Sequence, residues 1–301
     1  MSEALGPAGG ATIGVIGLGA MGAPMARHLA RAHGTVHITA RRPRPDLVAD
    51  GAVQHADAAA LAAVADVVLL MLPDLPEVEQ VLAEGLLAGE RPLLLLIGST
   101  SSAPGVRALA ERLDRETGGR VRVVDAPVSG GEDGAVAGTL SIMMGGTEED
   151  CALAATVLAP CGTPVRLGPL GAGQVAKACN QLVVAATIAA LGEATVLADR
   201  SGIDLGTMWD LLGGGYAASR LLETRKEKLV TGDDAPSGMA KYLLKDLKSG
   251  AEVAAATGTE AALLPALLTE FQEIVDAGLG ERDMAVTRRF IAERKPGAEK
   301  L

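Results

Sequence analysis

The sequence predicts an α/β protein: a doubly wound, mostly parallel sheet, then an all-α domain, with a long interdomain helix joining the two. Short, continuously apolar runs alternate with helical segments, which is typical of a parallel sheet covered on both faces. We expect strands at 12–16, 36–39, 67–71, 93–97 and 122–124, and a further strand at 140–144 on the sheet edge. After Gly168 the strand pattern stops. We therefore divide the chain into a sheet domain, residues 11–168, and an all-α domain, residues 169–301.

The interdomain helix is expected to begin near Gly171 and to run to about Arg200. It is apolar nearly all round, which indicates a helix buried on most sides. Further helices are predicted around 208–212, 219–230, 239–256 and 263–277. So much apolar helix surface predicts a homo-oligomer, a homodimer or a tetramer, assembled through the all-α domain.

Composition narrows the class of protein. The net charge of −10 argues against nucleic acid as a general partner. Three cysteines without a C-x-x-C pattern predict reduced thiols and no metal site. The N-terminus lacks the features of a secretory signal, and the longest apolar stretch, 182–191, is shorter than the ~20 residues of a membrane span. We expect a cytoplasmic protein that does not enter the membrane.

A glycine-rich turn lies between the first strand and a helical pattern. Its G-x-G-x-x-G core is Gly17, Gly19 and Gly22. Gly17 permits a tight turn, Gly19 admits a pyrophosphate, and Gly22 allows the helix to pack closely on the strand. This context favours a dinucleotide-binding domain of Rossmann type over a plain structural turn. The residues expected to contact the cofactor here are Gly17, Leu18, Gly19, Ala20, Met21 and Gly22.

The residues after the second strand indicate which dinucleotide is used. An NAD-binding chain usually carries Asp or Glu there, to accept a hydrogen bond from the ribose 2′-hydroxyl. This chain has Arg41 and Arg42, with Arg44 close by. Guanidinium groups match a 2′-phosphate. The sequence therefore predicts NADP (NADPH) rather than NAD, and the alternative is a solvated basic loop.

Two segments carry residues suited to acid–base chemistry on an anionic substrate. Ser129, Gly130 and Gly131 follow a strand, and a hydroxyl with two successive glycine N–H groups suits a carboxylate. A plain glycine-rich turn is the equal alternative from composition alone. Lys177 lies in the first turns of the interdomain helix, with Asn180 three residues later on the same side. An amine in apolar company is either a packing residue or a functional one.

Four motifs in order, 14–25, 125–131, 138–146 and 171–181, resemble the β-hydroxyacid dehydrogenases. That family includes 3-hydroxyisobutyrate dehydrogenase, tartronate semialdehyde reductase and the glyoxylate/succinic semialdehyde reductases. The resemblance covers 12–291 and implies reduction of a small semialdehyde acid. The alternatives are an imine reductase, which replaces the catalytic lysine, and a non-catalytic, cofactor-responsive protein of the same fold. The 6-phosphogluconate dehydrogenases share the architecture but have a much longer helical domain.

The resemblance also implies roles for individual residues. Lys177 would be the general acid/base, and Asn180 would hold it and the reacting oxygen. Ser129, Gly130 and Gly131 would bind the substrate carboxylate. Lys245, in a Lys-Asp-Leu motif, would reach both cofactor and substrate. The residues expected to line the cofactor are Leu72, Pro73, Thr100 and Ser101.

Within the family, the tartronate semialdehyde reductase branch is the most similar, through Glu132, the Asn180–Gln181 pair and 276–280. Two positions depart from the family pattern. Gly98 stands where members commonly have an acidic residue, and Arg41 stands where NADH-using members carry Asp.

Overall fold

The computed structural model describes residues 10–294. The chain divides into two compact units, residues 1–177 and 178–301. The unit boundary falls inside the long helix, whereas the predicted domain boundary lies after residue 168. The segment in which no secretory signal is predicted lies, up to residue 9, outside the described residues.

The first unit is a nine-stranded sheet with helices between its strands. The strands are β1 (Ile13–Ile16), β2 (Val36–Thr39), β3 (Ala52–His55), β4 (Val67–Leu70), β5 (Leu93–Ile97), β6 (Val121–Asp125), β7 (Val128–Ser129), β8 (Leu140–Gly145) and β9 (Gly162–Gly168). The helices are α1 (Gly22–His33), α2 (Pro45–Ala49), α3 (Ala58–Ala62), α4 (Leu75–Val81), α5 (Ala103–Thr117), α6 (Gly131–Ala137) and α7 (Glu148–Leu158).

The strand order is β3-β2-β1-β4-β5-β6-β8-β7, and β9 pairs with β8. The six strands from β3 to β6 in this order are parallel. Successive side chains of a strand point to opposite faces of the sheet, and because every residue of β4 and β5 is apolar, both faces of the sheet are apolar. Val15 and Leu69 lie in one core cluster, and Ile16 and Leu70 lie in the other. The predicted fold class, a doubly wound sheet followed by helices, is confirmed.

The edge of the sheet differs from the prediction. The strand expected there, β8, is internal: it pairs antiparallel with β6 and β7 and parallel with β9. The true edge strand, β9, was missed because it contains Pro164 and leaves Val165 and Leu167 exposed. Proline and exposed apolar residues are compatible with an edge strand but do not give a buried-strand pattern. β3 at the opposite edge was also missed, since Gln54 and His55 break the apolar run.

The second unit is helical over the residues that the structure describes. Its helices are the larger part of α8 (Ala172–Arg200), α9 (Leu205–Leu212), α10 (Arg220–Thr231), α11 (Ala240–Thr257), α12 (Leu263–Asp276) and α13 (Thr287–Glu293). Their core cluster includes Ile188 from α8, Leu247 from α11 and Phe271 from α12. The sequence patterns missed α13, a single short helix near the end.

The length and composition of α8 would allow it to cross a membrane, although the apolar stretch 182–191 alone is too short. Its most apolar window has a mean hydropathy of 1.7, and 50% of that window is buried within the protein. Ala185, Ile188 and Leu191 of this helix contribute to the core of the second unit. These contacts are those of a core helix in a folded domain.

Candidate active site

The glycine-rich turn after β1 has the shape that a pyrophosphate requires. Gly17 has φ +95°. A Cβ on Gly17 would overlap the Met71 carbonyl oxygen, and one on Gly22 would overlap the Gly17 carbonyl oxygen. At Gly19, by contrast, a Cβ would meet no atom within 4 Å. The turn is therefore closed on the protein side and open at Gly19, which fits a bound dinucleotide phosphate.

Three arginines after β2 have different environments. Arg41 and Arg42 are exposed. Arg44 instead donates to the Leu18 carbonyl oxygen at 2.7 Å and to both Asp46 carboxylate oxygens at 2.9 and 2.8 Å. Arg44 therefore ties this loop to the glycine-rich turn, and Asp46 balances its charge. The sequence analysis placed Arg44 near Arg41 and Arg42 as a further positive charge for a 2′-phosphate.

The loops after β4 and β5 are joined by hydrogen bonds. The Leu72 N–H donates to Ser99 Oγ at 3.2 Å. The Ser101 N–H donates to Gln174 Oε1 at 2.9 Å, and Gln174 Nε2 donates to the Ser99 carbonyl oxygen at 2.8 Å. Ser101 Oγ is buried and has no hydrogen-bond partner among the described residues. A buried hydroxyl of this kind is a group that a bound ligand can satisfy. The Ser101 hydroxyl and the open space at Gly19 together make the carboxyl edge of the sheet suitable for binding a dinucleotide.

Asp125, the last residue of β6, holds the start of α8. Its carboxylate accepts hydrogen bonds from the backbone N–H of Gly171 at 2.6 Å and of Gln174 at 2.7 Å. These N–H groups lie at a helix start, where intrahelical partners are absent and negative charge is favoured. Asp125 is fully buried, and burial raises its pKa to about 6, against the lowering effect of these hydrogen bonds.

The residues predicted to bind a carboxylate lie at the turn between β7 and α6. Ser129 ends β7, and Gly130 precedes α6 with φ +135°. Gly131, the first residue of α6, has φ +64°, and a Cβ on it would meet no atom within 4 Å. Gly131 therefore borders open space at a helix start, which suits an anion, whereas a Cβ on Gly130 would lie 3.1 Å from Leu140 Cδ2.

Lys177 is a buried lysine in the second turn of α8. Its side chain is 7% exposed. It lies three residues after Gln174, so the two side chains share one side of the helix. Because Gln174 bonds the Ser99–Ser101 loop, this side of α8 is directed to the carboxyl edge of the sheet.

In the second unit, four polar residues form a connected group across α8 and α11. Asn180 Nδ2 donates to Gln181 Oε1 at 2.8 Å, and Gln181 Nε2 donates to Asp246 Oδ2 at 2.6 Å. Lys245 Nζ lies 3.4 Å from Asp246 Oδ1. The predicted residues Asn180 and Lys245 thus belong to one network, through two residues that received no role in the sequence analysis. Their motifs, 171–181 and Lys-Asp-Leu, were the available signal.

No group of three or more His, Cys, Asp or Glu side chains that could hold a metal ion occurs in the described part of the chain. Cys151 and Cys161 are buried, Cys179 is exposed, and all three are free thiols. The first unit thus carries a glycine-rich turn that fits a dinucleotide, the turn at 129–131 and a buried lysine. Within the second unit lies an amide–carboxylate network.

Comparison with known proteins identifies the family. A sequence model of the NAD-binding domain of 6-phosphogluconate dehydrogenase matches residues 12–171. A second model, the NAD-binding domain of NADP-dependent 3-hydroxyisobutyrate dehydrogenase, matches residues 171–291. The 2-hydroxy-3-oxopropionate reductase of Escherichia coli K12 is 37% identical over 239 residues, 78% of this chain and 81% of that protein. The chain belongs to the β-hydroxyacid dehydrogenase family.

Two further relatives cover almost all of this dehydrogenase. The L-threonate dehydrogenase of Cupriavidus necator is 37% identical over 293 residues, 95% of this chain and 98% of that protein. The crystal structure of 3-hydroxyisobutyrate dehydrogenase from Salmonella typhimurium superposes with a TM-score of 0.84 at 30% identity, covering 92% of this chain and 99% of that one. This dehydrogenase is an NAD(P)-dependent oxidoreductase that acts on the CH–OH group of a hydroxy acid. The predicted family and enzyme class are confirmed.

Proposed function

We propose that this dehydrogenase interconverts a small semialdehyde acid and its hydroxyacid with NADPH, with Lys177 as the general acid/base. The first candidate substrate is tartronate semialdehyde; succinic semialdehyde, methylmalonate semialdehyde and glyoxylate follow. The similarity to the 2-hydroxy-3-oxopropionate reductase of E. coli, whose name describes reduction of tartronate semialdehyde, supports placing that substrate first. The observation that carries the proposal is the buried amine of Lys177 on a helix whose start is fixed to the sheet edge.

Each group of residues has its own role in the proposed reaction. The nicotinamide cofactor, when bound, supplies the hydride. Lys177 gives a proton to the carbonyl oxygen of the substrate as that oxygen becomes a hydroxyl, and takes the proton back in the reverse direction. Ser129 and the N–H groups of Gly130 and Gly131 hold the substrate carboxylate and so orient the reacting carbon. Asn180, held by Gln181, orients the lysine and the reacting oxygen.

A variant of Lys177 tests the acid/base assignment. Lys177→Ala should lower kcat by about 10²–10⁴-fold, the usual cost of losing a general acid, and leave NADPH binding by fluorescence nearly unchanged. Lys177→Arg should not restore the rate, because a guanidinium barely releases its proton. Lys248→Ala removes an exposed lysine from α11 and serves as the control. A Lys177→Ala rate within a few-fold of the parent would make Lys177 a packing residue.

A substrate screen tests the reaction class. Each semialdehyde acid, its methyl ester, L-threonate, L-serine and a cyclic imine are assayed, with NADPH and NADH (or their oxidised forms) side by side. We expect turnover of acids and much lower kcat/KM for the esters, because the glycine turn at 129–131 offers donors to a carboxylate. Equal efficiency for acid and ester would contradict the carboxylate contact. Turnover of the imine alone would favour an imine reductase.

A further inference from the structure

The side chain of Gln174 is, with that of Asp125, among the most enclosed polar side chains described in the first unit. It is 1% exposed. Its amide makes two hydrogen bonds of opposite polarity to one loop: the oxygen accepts from the Ser101 N–H and the nitrogen donates to the Ser99 carbonyl oxygen. Its own backbone N–H donates to Asp125. Gln174 therefore joins β5, β6 and α8 through three hydrogen bonds.

These bonds fix the orientation of the amide without ambiguity. The Ser101 N–H can only donate and the Ser99 carbonyl can only accept, so the oxygen must face Ser101 and the nitrogen must face Ser99. A carboxamide is the neutral side chain that supplies both functions from two atoms a fixed distance apart. A carboxylate in its place would set a negative oxygen against the Ser99 carbonyl at a buried position, where an unpaired charge is costly.

The loop that Gln174 holds also reaches the cofactor side of β4. Ser99 Oγ accepts from the Leu72 N–H, so the segments predicted to line the cofactor, 72–73 and 100–101, belong to one bonded group. Lys177 follows Gln174 by three residues, and neighbours at this spacing lie about 5–6 Å apart between their Cβ atoms. One amide thus links the cofactor-lining loops to the turn of helix that carries the proposed acid.

We infer that Gln174 is a positioning residue, which sets the depth and rotation of Lys177 relative to the 72–73 and 99–101 loops. The inference rests on the proposed function, since it gives Gln174 its effect through Lys177. Gln174 touches neither substrate nor cofactor in this role. Its loss should therefore reduce the chemical step more than it reduces cofactor affinity, which depends also on the glycine turn and on Arg41.

Two substitutions remove different parts of this contact. Gln174→Ala deletes both hydrogen bonds, and we expect kcat to fall about 10²-fold, the cost of a displacement near 1 Å at a reacting group, with the Kd for NADPH changed less than kcat. Gln174→Glu keeps the acceptor for Ser101 but can donate to Ser99 only when protonated. Burial, together with the nearby carboxylate of Asp125, which accepts a hydrogen bond from the residue 174 backbone N–H, should raise the pKa of that carboxyl group.

The decisive measurement is the kcat ratio of Gln174→Glu to the parent between pH 6 and 9. We expect the ratio to rise as the pH falls, because protonation restores the donor to Ser99. Titrations that the substitution leaves unchanged cancel in this ratio, because the groups concerned are present in both proteins. Circular dichroism at each pH checks that Gln174→Glu stays folded, because partial unfolding on ionisation of the new carboxyl group would also lower kcat at high pH.

The outcomes separate this inference from the proposed function. A flat Gln174→Glu ratio, or Gln174→Ala with a kcat within a few-fold of the parent, would overturn the positioning role while Lys177→Ala still collapses the rate. If Lys177→Ala has a kcat close to that of the parent, the proposed acid/base role of Lys177 is contradicted, whatever Gln174→Ala shows. If Gln174→Ala raises the Kd for NADPH as much as it lowers kcat, Gln174 supports only cofactor binding, and the inference is wrong.

Discussion

Three arginines within four positions after β2 differ in what remains available to a ligand. Arg44 is bound to Asp46 and to the Leu18 carbonyl. Arg41 and Arg42 are exposed and follow the strand directly, where a Rossmann-type domain meets the ribose of its cofactor. If the cofactor is NADPH, these two side chains are the ones that can meet the 2′-phosphate. The prediction of NADP over NAD thus depends mainly on Arg41, which replaces the acid of NADH-using members.

Arg41→Asp should change the cofactor preference. We expect kcat/KM with NADPH to fall by about 10- to 150-fold, corresponding to ~1.5–3 kcal/mol for a hydrogen bond to a charged group, with kcat/KM for NADH unchanged or higher. Arg31→Asp, which reverses the charge of an exposed arginine on α1, is the matched control. Steady-state assays with both cofactors check this. A parent enzyme that uses NADH as well as NADPH would contradict the preference.

At the residue scale, the sequence predicts a residue's role well when that role depends on residues nearby in the chain. Gly17 and Gly22 are required by contacts with near neighbours and by a positive φ, so a short motif identifies them. The side chain of Gln174 and the carboxylate of Asp125 act on partners 75 and 49 residues away in the chain. No local spacing distinguishes such residues from ordinary members of a motif. The roles of Lys177 and Ser129 stay predictions.

At the scale of elements, the buried strands were predictable and the edges were not. β4 and β5 are continuous apolar runs because both faces are covered. An edge strand loses this pattern, since solvent accepts polar groups on its free side, and β3 and β9 were missed for that reason. Because β9 was missed, β8 was predicted to be the edge strand, although it pairs with strands on both of its sides. The long helix α8 was predictable because its apolar pattern is unbroken.

The buried carboxyl group of Asp125, which binds the start of α8, should make the free energy of unfolding depend on pH. Burial raises the pKa of Asp125 from 3.8 to about 6, so the native state binds a proton that the unfolded state has released between these values. The stabilisation is complete below about pH 4 and is lost as the pH rises through 6, a difference of about 3 kcal/mol. Denaturant unfolding of the parent and of Asp125→Asn at pH 4.5 and 6.5 measures it.

The comparison with Asp125→Asn isolates this carboxyl group from others that titrate in the same window. We expect the free energy of unfolding of the parent, relative to the variant, to decrease from pH 4.5 to 6.5. A free energy of unfolding that does not decrease over that window would mean that the hydrogen bonds from Gly171 and Gln174 outweigh burial, and that the charged form is the native one.

At the scale of the whole molecule, the chain leaves apolar surface for a partner. Val183 and Leu197 on α8 are 64% and 68% exposed in the single chain. Large apolar side chains at this exposure on one helix favour association. We therefore expect a homodimer or tetramer that buries this part of α8, consistent with closed symmetry as the commonest arrangement.

Light scattering at micromolar concentration measures the assembly. The parent should have at least twice the chain mass of 30.4 kDa, and a double change, Val183→Glu with Leu197→Glu, should shift it toward the monomer. Val48→Glu places the same charge on an exposed valine of α2 in the first unit and should leave the mass unchanged. An active parent near 30.4 kDa would exclude assembly as a requirement.

The contact between Met71 and Gly98 constrains which side chains position 98 can carry. A Cβ at position 98 would overlap Met71 Sδ and would also lie 3.2 Å from Leu69 Cδ1 and 3.3 Å from the Leu70 carbonyl oxygen. The thioether thus fills the volume that an acidic side chain at 98 would need. A side chain at position 98 therefore requires the thioether of Met71 to move. Substitutions at these two positions are expected to be non-additive, with Gly98→Asp tolerated better when Met71 is replaced by a smaller residue.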